Sequence, residues 1–145
     1  MTDRDTDIDL KQLAERWVAQ WNEPDPAERR RLIRELWAED GYQLMVNPPE
    51  EMRAAAARLS VPFPALEIRG HDALAERVGR AYEMFVGTGE FVFVQPGEPV
   101  RHAGGAVAVT WEMRSRADDS VAGSGLEVLT FAADGRVRSD HQFVA

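Results

Sequence analysis

The chain has 145 residues, a formal net charge of −8 and no cysteine. That length suits one domain with a real core, the missing cysteines exclude disulfides, a thiol nucleophile and thiolate metal sites, and the acidic balance disfavours phosphate backbones unless a local patch reverses its sign. No stretch approaches the roughly 18 apolar residues of a membrane span and the polar, acidic start "MTDRDTDID" is not a secretory signal, so a cytoplasmic protein is expected.

Residues 1–7 read as a disordered terminus and 8–145 as a single domain. Leu10, Leu13, Ala14, Trp17, Val18 and Trp21 recur at three- and four-residue steps. They form the apolar stripe of a helix over about 9–21. "NEPDP" ends it, and Asp25, Pro26 and Glu28 supply the cap, first position and capping box of a second helix over about 26–38. Its arginines in "ERRRLIR" are the chain's only basic cluster. They interleave with acids and with Leu32, Ile33 and Leu36, the pattern of a solvated helix face. Arginine outnumbers lysine 16 to one, which reflects genome composition.

Asp40-Gly41 reads as a break before a short strand, Tyr42 to Val46. Asn47, Pro48 and Glu50 then restart a helix, and the prolines at 62 and 64 force an extended segment after it. Segment 47–68 could fold over a pocket mouth through Met52, Leu59, Val61 and Phe63, or be a packing insertion. A third long helix is expected from about His71 to Val86. "EFVFVQ" reads as a strand, and "AVAVTWEMRSR" alternates, with Val107, Val109, Trp111 and Met113 on one face. Helices first and antiparallel strands later indicate an α+β fold, with helices covering one face of a curved sheet.

The last two strands flank "AADGR", where Asp134-Gly135 is a strong turn signal. Two registers compete. A two-residue loop pairs Ala133 with Arg136. A three-residue loop with Gly135 in the left-handed position pairs Ala132 with Arg136 and sets Phe131 opposite Val137. Because register follows the hydrophobic pattern, the second is preferred. It puts Glu127 opposite His141 on the inward face with Leu129, Phe131, Val137 and Phe143, and sends Val128, Thr130, Arg138, Asp140 and Gln142 outward. Cross-strand partners lie roughly 4.5–5.5 Å apart at Cβ. An acid and an imidazole there could hold a proton near neutral pH and act as acid or base. Alternatively, the two simply satisfy each other or water.

Three features form a familiar series. They are Trp-x-x-x-Trp-Asn in the first helix, "LWAEDG" before the first strand, and Gly-x-acid followed by "ADGRV" at the end. On these the chain resembles the nuclear transport factor two-like superfamily and, within it, the SnoaL-like (polyketide cyclase-like) group, over about 8–145. The resemblance implies a cone-shaped roll: a strongly bent antiparallel sheet around helices, with an apolar pocket at its open end and a homodimer through the outer sheet face. Superfamily members include ketosteroid isomerases, polyketide cyclases, a dehydratase and an epoxide hydrolase, besides proteins that only bind or scaffold. Glu127 matches the sheet acid of the enzymes, with Glu for the usual Asp. The expectation is a pocket for a small apolar molecule, with proton-transfer chemistry on Glu127 and His141, or else a non-catalytic binding or dimerisation module.

Trp17, Trp21, Tyr42, Phe91 and Trp111 are expected at the wall or mouth of that cone, with Phe63, Tyr82, Met113 and Leu129. Ordinary core packing is the alternative for each. His71 at a helix start and His102 near "RHAGG" read as capping or surface residues. The three histidines form no i, i+4 ligand pair, and the glycine-rich stretches carry no phosphate-loop or Gly-x-Ser-x-Gly pattern. Neither metal nor cofactor is expected, and neither nucleic acid nor membrane is an expected partner.

Overall fold

The computed structural model describes residues 8–47, 50–51, 54 and 66–145. The expected terminus 1–7, most of the helix after Asn47, and Met52, Leu59, Val61 and Phe63 lie outside the described residues.

Helix α1 spans Leu10–Asn22, capped by Asp9, whose carboxylate accepts from the backbone N–H of Lys11 and Gln12. Helix α2 spans Pro26–Leu36 behind the Asp25 cap, as the capping signals predict. It stops earlier than expected. Strand β1 begins at once and runs Trp37–Met45, so Asp40-Gly41 lies inside a strand. The pairing of β1 shifts between Trp37 and Tyr42, and Gly41 fits that irregularity because a Cβ there would stand 2.8 Å from the Val137 carbonyl oxygen. The Asn47 side chain is engaged just past the end of β1, against Val144. Its amide donates to the Val144 carbonyl and accepts from the Val144 N–H, at 2.7 and 2.9 Å.

Strand β2, Leu66–Arg69, runs antiparallel to β1. Helix α3, His71–Ala81, passes into a π-helical turn over Tyr82–Val86. The remaining strands are β3 Phe91–Val94, β4 Val100–Arg101, β5 Val107–Ser115, β6 Val121–Phe131 and β7 Val137–Val144. They join β1 and β2 in one sheet ordered β2-β1-β7-β6-β5-β3, with β4 on β5. All pairings are antiparallel except β1 with β7, which is parallel.

The helices pack on one face of this sheet. Leu13, Trp17, Trp21, Ile33, Leu36, Trp37, Leu74 and Val78 meet Val107, Val109, Leu129 and Val137 in one core. Trp17 and Trp37 are tilted against each other with centroids 5.4 Å apart, and the Trp37 indole N–H donates to the buried Gln20 at 3.0 Å. The result is the expected α+β roll, a curved open sheet closed on one face by helices.

The terminal hairpin is corrected in one respect. Its turn follows expectation: Gly135 has φ 88°, Ala132 N–H donates to Arg136, and Phe131 pairs with Val137. One residue further on, a bulge at Arg138 shifts the pairing. From there Thr130 meets Ser139, Leu129 meets Asp140, Val128 meets His141 and Glu127 meets Gln142. A one-residue slip exchanges the faces of a strand. Asp140 and Gln142 therefore point inward, and His141 and Phe143 outward. Thr130 and Ser139 hydroxyls hydrogen-bond across the shifted pair.

Candidate functional site

The expected Glu127–His141 pair does not form. His141 lies on the outer face between Val128 and Leu44. Glu127 does point inward and is fully buried, and its neighbour is another acid, Asp140, also fully buried. β6 brings Glu127, and β7 brings Asp140 through the bulge. β1 sets Gln43 beside Asp140, and its amide nitrogen donates to Asp140 Oδ2 at 2.8 Å and, more weakly, to Glu127 Oε1 at 3.4 Å. From α3, Arg77 donates through Nε to Gln43 Oε1 at 2.5 Å and through Nη2 to Gln142 Oε1 at 2.9 Å.

Trp111 completes the cage. Its indole N–H donates to Glu127 Oε2 at 2.7 Å. That reach depends on Gly125, the cross-strand partner of Trp111. A Cβ on Gly125 would stand 2.4 Å from the indole ring, so only a residue without a side chain lets the ring lie across β6. The Gly-x-acid spacing thus has a local cause: the glycine seats the donor, and the residue two positions on accepts from it.

The electrostatics follow from burial. Desolvation pushes the Glu127 carboxyl up, while hydrogen bonds from Asp140, Trp111 and Gln142 and the Arg77 charge pull it back. Desolvation, then the negative charge of Glu127, holds Asp140 well above the usual carboxylate range. Two adjacent buried carboxyls cannot both ionise cheaply, so the pair shares one proton. Its deeper burial and the Glu127 charge beside it favour Asp140 as the member that keeps the proton. This assignment also gives a role to Asp140 Oδ1, which otherwise lacks a partner among the described residues. Arg77, itself pushed down by burial, balances the one remaining negative charge.

The inner face opens on a cavity of about 710 Å³. Trp17, Trp21, Phe93, Met45, Ile68 and Met113 line its walls, and Arg77, Gln142 and Trp111 form its polar end. Of the expected pocket residues, Trp17, Trp21, Trp111 and Met113 reach this cavity. Leu129 is buried in the core beside it. Tyr42 faces the other side of the sheet, under the Arg69 guanidinium at 4.3 Å. Tyr82 lies under Arg29 at 4.7 Å from the ring centroid, and Phe91 packs edge-on against Phe85. Phe93, two residues along β3, takes the wall position and bridges Trp21 and Trp111 at 5.8 Å each. Phe63 is outside the described residues. His71 donates through Nε2 to the Trp37 carbonyl at 2.9 Å, and His102 is exposed.

Asp140, Gln43, Gln142 and Arg77 were not anticipated. Asp140 and Gln142 follow only from the bulge. Gln43 and Arg77 read as ordinary strand and helix residues until β1 and α3 are brought together.

No family model matches the chain, and no curated protein matches it. Solved structures do. A proposed isomerase of the SnoaL-like family from Agrobacterium tumefaciens superposes with a TM-score of 0.71 at 24% identity, over 94% of this chain and 97% of that one. A SnoaL-like protein of unknown function from Burkholderia thailandensis gives 0.64 at 18%, over 100% and 99%. An NTF2-like protein of unknown function from Exiguobacterium gives 0.59 at 17%, over 92% and 98%. At these identities the likeness speaks for architecture, and on it the chain has the fold of the SnoaL-like and NTF2-like proteins.

Proposed function

We propose that the chain is a SnoaL-like pocket protein that binds a small, largely apolar molecule in the inner cavity. The observation that carries this reading is the cavity itself: about 710 Å³, walled by aromatic and aliphatic side chains and polar at one end. Pockets of roughly 300–1,000 Å³ with few polar groups suit small organic ligands. The experiment is a titration with 2-acetonaphthone, a flat neutral ketone, followed by quenching of Trp17, Trp21 and Trp111. Binding at about 100 times Kd would add roughly 2.7 kcal/mol to stability and raise Tm by several degrees. Absence of both quenching and a Tm shift counts against the pocket.

Proton-transfer catalysis is favoured by a separate observation, the buried carboxyl pair one layer behind the cavity wall. In that reading Glu127, with its raised pKa, is the base and Asp140 its proton-holding partner. His141 has no part in it. The test is hydrogen–deuterium exchange of the 2-acetonaphthone methyl group, read by NMR in wild type and Glu127→Gln. Accelerated exchange that the substitution removes supports catalysis. Exchange no faster than in buffer favours the non-catalytic binding module.

A further inference from the structure

The polar end of the cavity offers donors and almost nothing else. Gln142 uses its carbonyl oxygen on Arg77, and its amide nitrogen is a donor. The Trp111 N–H is spent on Glu127. Arg77 lines the cavity, and only its Nε and Nη2 have partners, Gln43 and Gln142. The Nη1 N–H groups have none among the described residues. Among the described residues this end presents mainly N–H donors, which an acceptor oxygen on a ligand would satisfy. An arginine fork with free N–H groups matches a carboxylate better than a single carbonyl oxygen.

Charge balance adds a second condition. Arg77 is the one outside charge among the described residues acting on the Glu127–Asp140 pair. α1 contributes no charged residue there, only Trp17, Gln20 and Trp21. Arg80, Glu51 and Glu67 lie exposed along the cavity, and Glu67 is paired with Arg69. With one proton on the pair, the buried set of two carboxyls and one guanidinium is neutral. A ligand anion at Arg77 would leave one uncompensated buried charge, which is costly. The nearest way to remove it is a second proton on the pair.

Resting on the pocket reading above, we infer that the natural ligand is an apolar molecule with one carboxylate, seated on Arg77, and that its binding takes up one proton onto the Glu127–Asp140 pair. No bond of the ligand is made or broken. The proton leaves hydronium or a buffer acid in solvent and forms an O–H bond on Glu127, whose negative charge Arg77, now paired with the ligand, no longer balances.

The test compares 2-naphthoate with 2-acetonaphthone, a near-isosteric neutral ketone. Naphthoate stays ionised throughout pH 6–8, so its own titration does not intrude. Naphthoate should bind more tightly at pH 6, and its affinity should fall with pH, by at most about tenfold per unit, while ketone affinity stays flat. Calorimetry in phosphate and Tris, whose ionisation enthalpies differ, should report about one proton taken up per naphthoate and none per ketone. The double variant Glu127→Gln/Asp140→Asn keeps the shape of both side chains and removes their charge. It should bind naphthoate more tightly at pH 8 and without pH dependence. Arg77→Leu should lose the preference for naphthoate and keep the ketone. Equal affinity for the two probes in wild type, or naphthoate binding without proton uptake, overturns the inference whether or not the variants fold. Ketone binding in those cases leaves the pocket reading intact, whereas failure of both probes to bind overturns both.

Discussion

At the scale of single residues, two positions carry most of the site's chemistry. Asp140 holds its proton well above the usual carboxylate range because it is buried beside Glu127. The folded chain therefore binds protons that the unfolded chain has already released, and stability falls as pH rises from the unfolded carboxyl range, about 4, toward the folded pKa values. Asp140→Asn copies the protonated carboxyl, still accepting from Gln43 and donating to Glu127. Urea unfolding should show a flatter stability profile between pH 5 and 8, with the variant at least as stable as wild type at pH 8. A loss of about 2 kcal/mol or more there would mean that Asp140 acts as a carboxylate. Gly125 is the second position. Any Cβ meets the Trp111 ring at 2.4 Å and the Phe143 carbonyl at 2.8 Å. Gly125→Ala should destabilise by about 1–3 kcal/mol and shift Trp111 emission, because the indole must leave Glu127. Unchanged emission would show that the ring does not depend on that gap.

At the scale of elements, short strands are held by side chains that act as backbone. β3 has four residues and, among the described residues, one strand partner, β5. Its other edge is closed by Asn22, the last residue of α1, whose amide donates to the Phe93 carbonyl at 2.8 Å and accepts from the Phe93 N–H at 3.0 Å. This clamp fixes Phe93 between Trp21 and Trp111. Asn22→Ala leaves both groups unpaired and should cost about 1–3 kcal/mol, with faster amide exchange concentrated at β3. Uniform loss of protection would assign the effect to α1 instead. Element types were readable from the chain because they rest on neighbours: the stripe from Leu13 to Trp21, the Asp25-Pro26 cap and the Asp134-Gly135 turn are local signals. The Arg138 bulge is not local. It lies opposite the irregularity of β1 around Gly41 and gains its reason from Gln43 and Arg77, which satisfy the side chains it turns inward. Alternation read along β7 alone favours Phe143 as an inward residue. The bulge leaves it 38% exposed.

At the scale of the whole molecule, the sheet separates two surfaces. The inner one is committed to the helices and the cavity. The outer one carries Thr110, Leu126 and Phe143 around a depression of about 410 Å³, and we propose it as the contact between two copies of the chain. Phe143→Glu would place a charge in that contact. Sedimentation should give a dimer for wild type and a monomer for the variant. A monomeric wild type would remove the outer face from consideration. Because the inner cavity lies across the sheet from this face, 2-acetonaphthone binding should survive the substitution.

The amino-acid sequence by itself determined the architecture: the three amphipathic helices α1 to α3, the Asp25 cap of the second, a series of alternating strands, the glycine turn, and Glu127 as a buried acid. Each follows from periodicity or from residues within a few positions of one another. Tertiary structure alone decided the partner of that acid. Whether Asp140 or His141 faces Glu127 depends on one extra residue in β7. That bulge is favourable because β1 and α3, distant along the chain, bring Gln43 to the inward carboxyl and Arg77 to Gln43 and the inward Gln142.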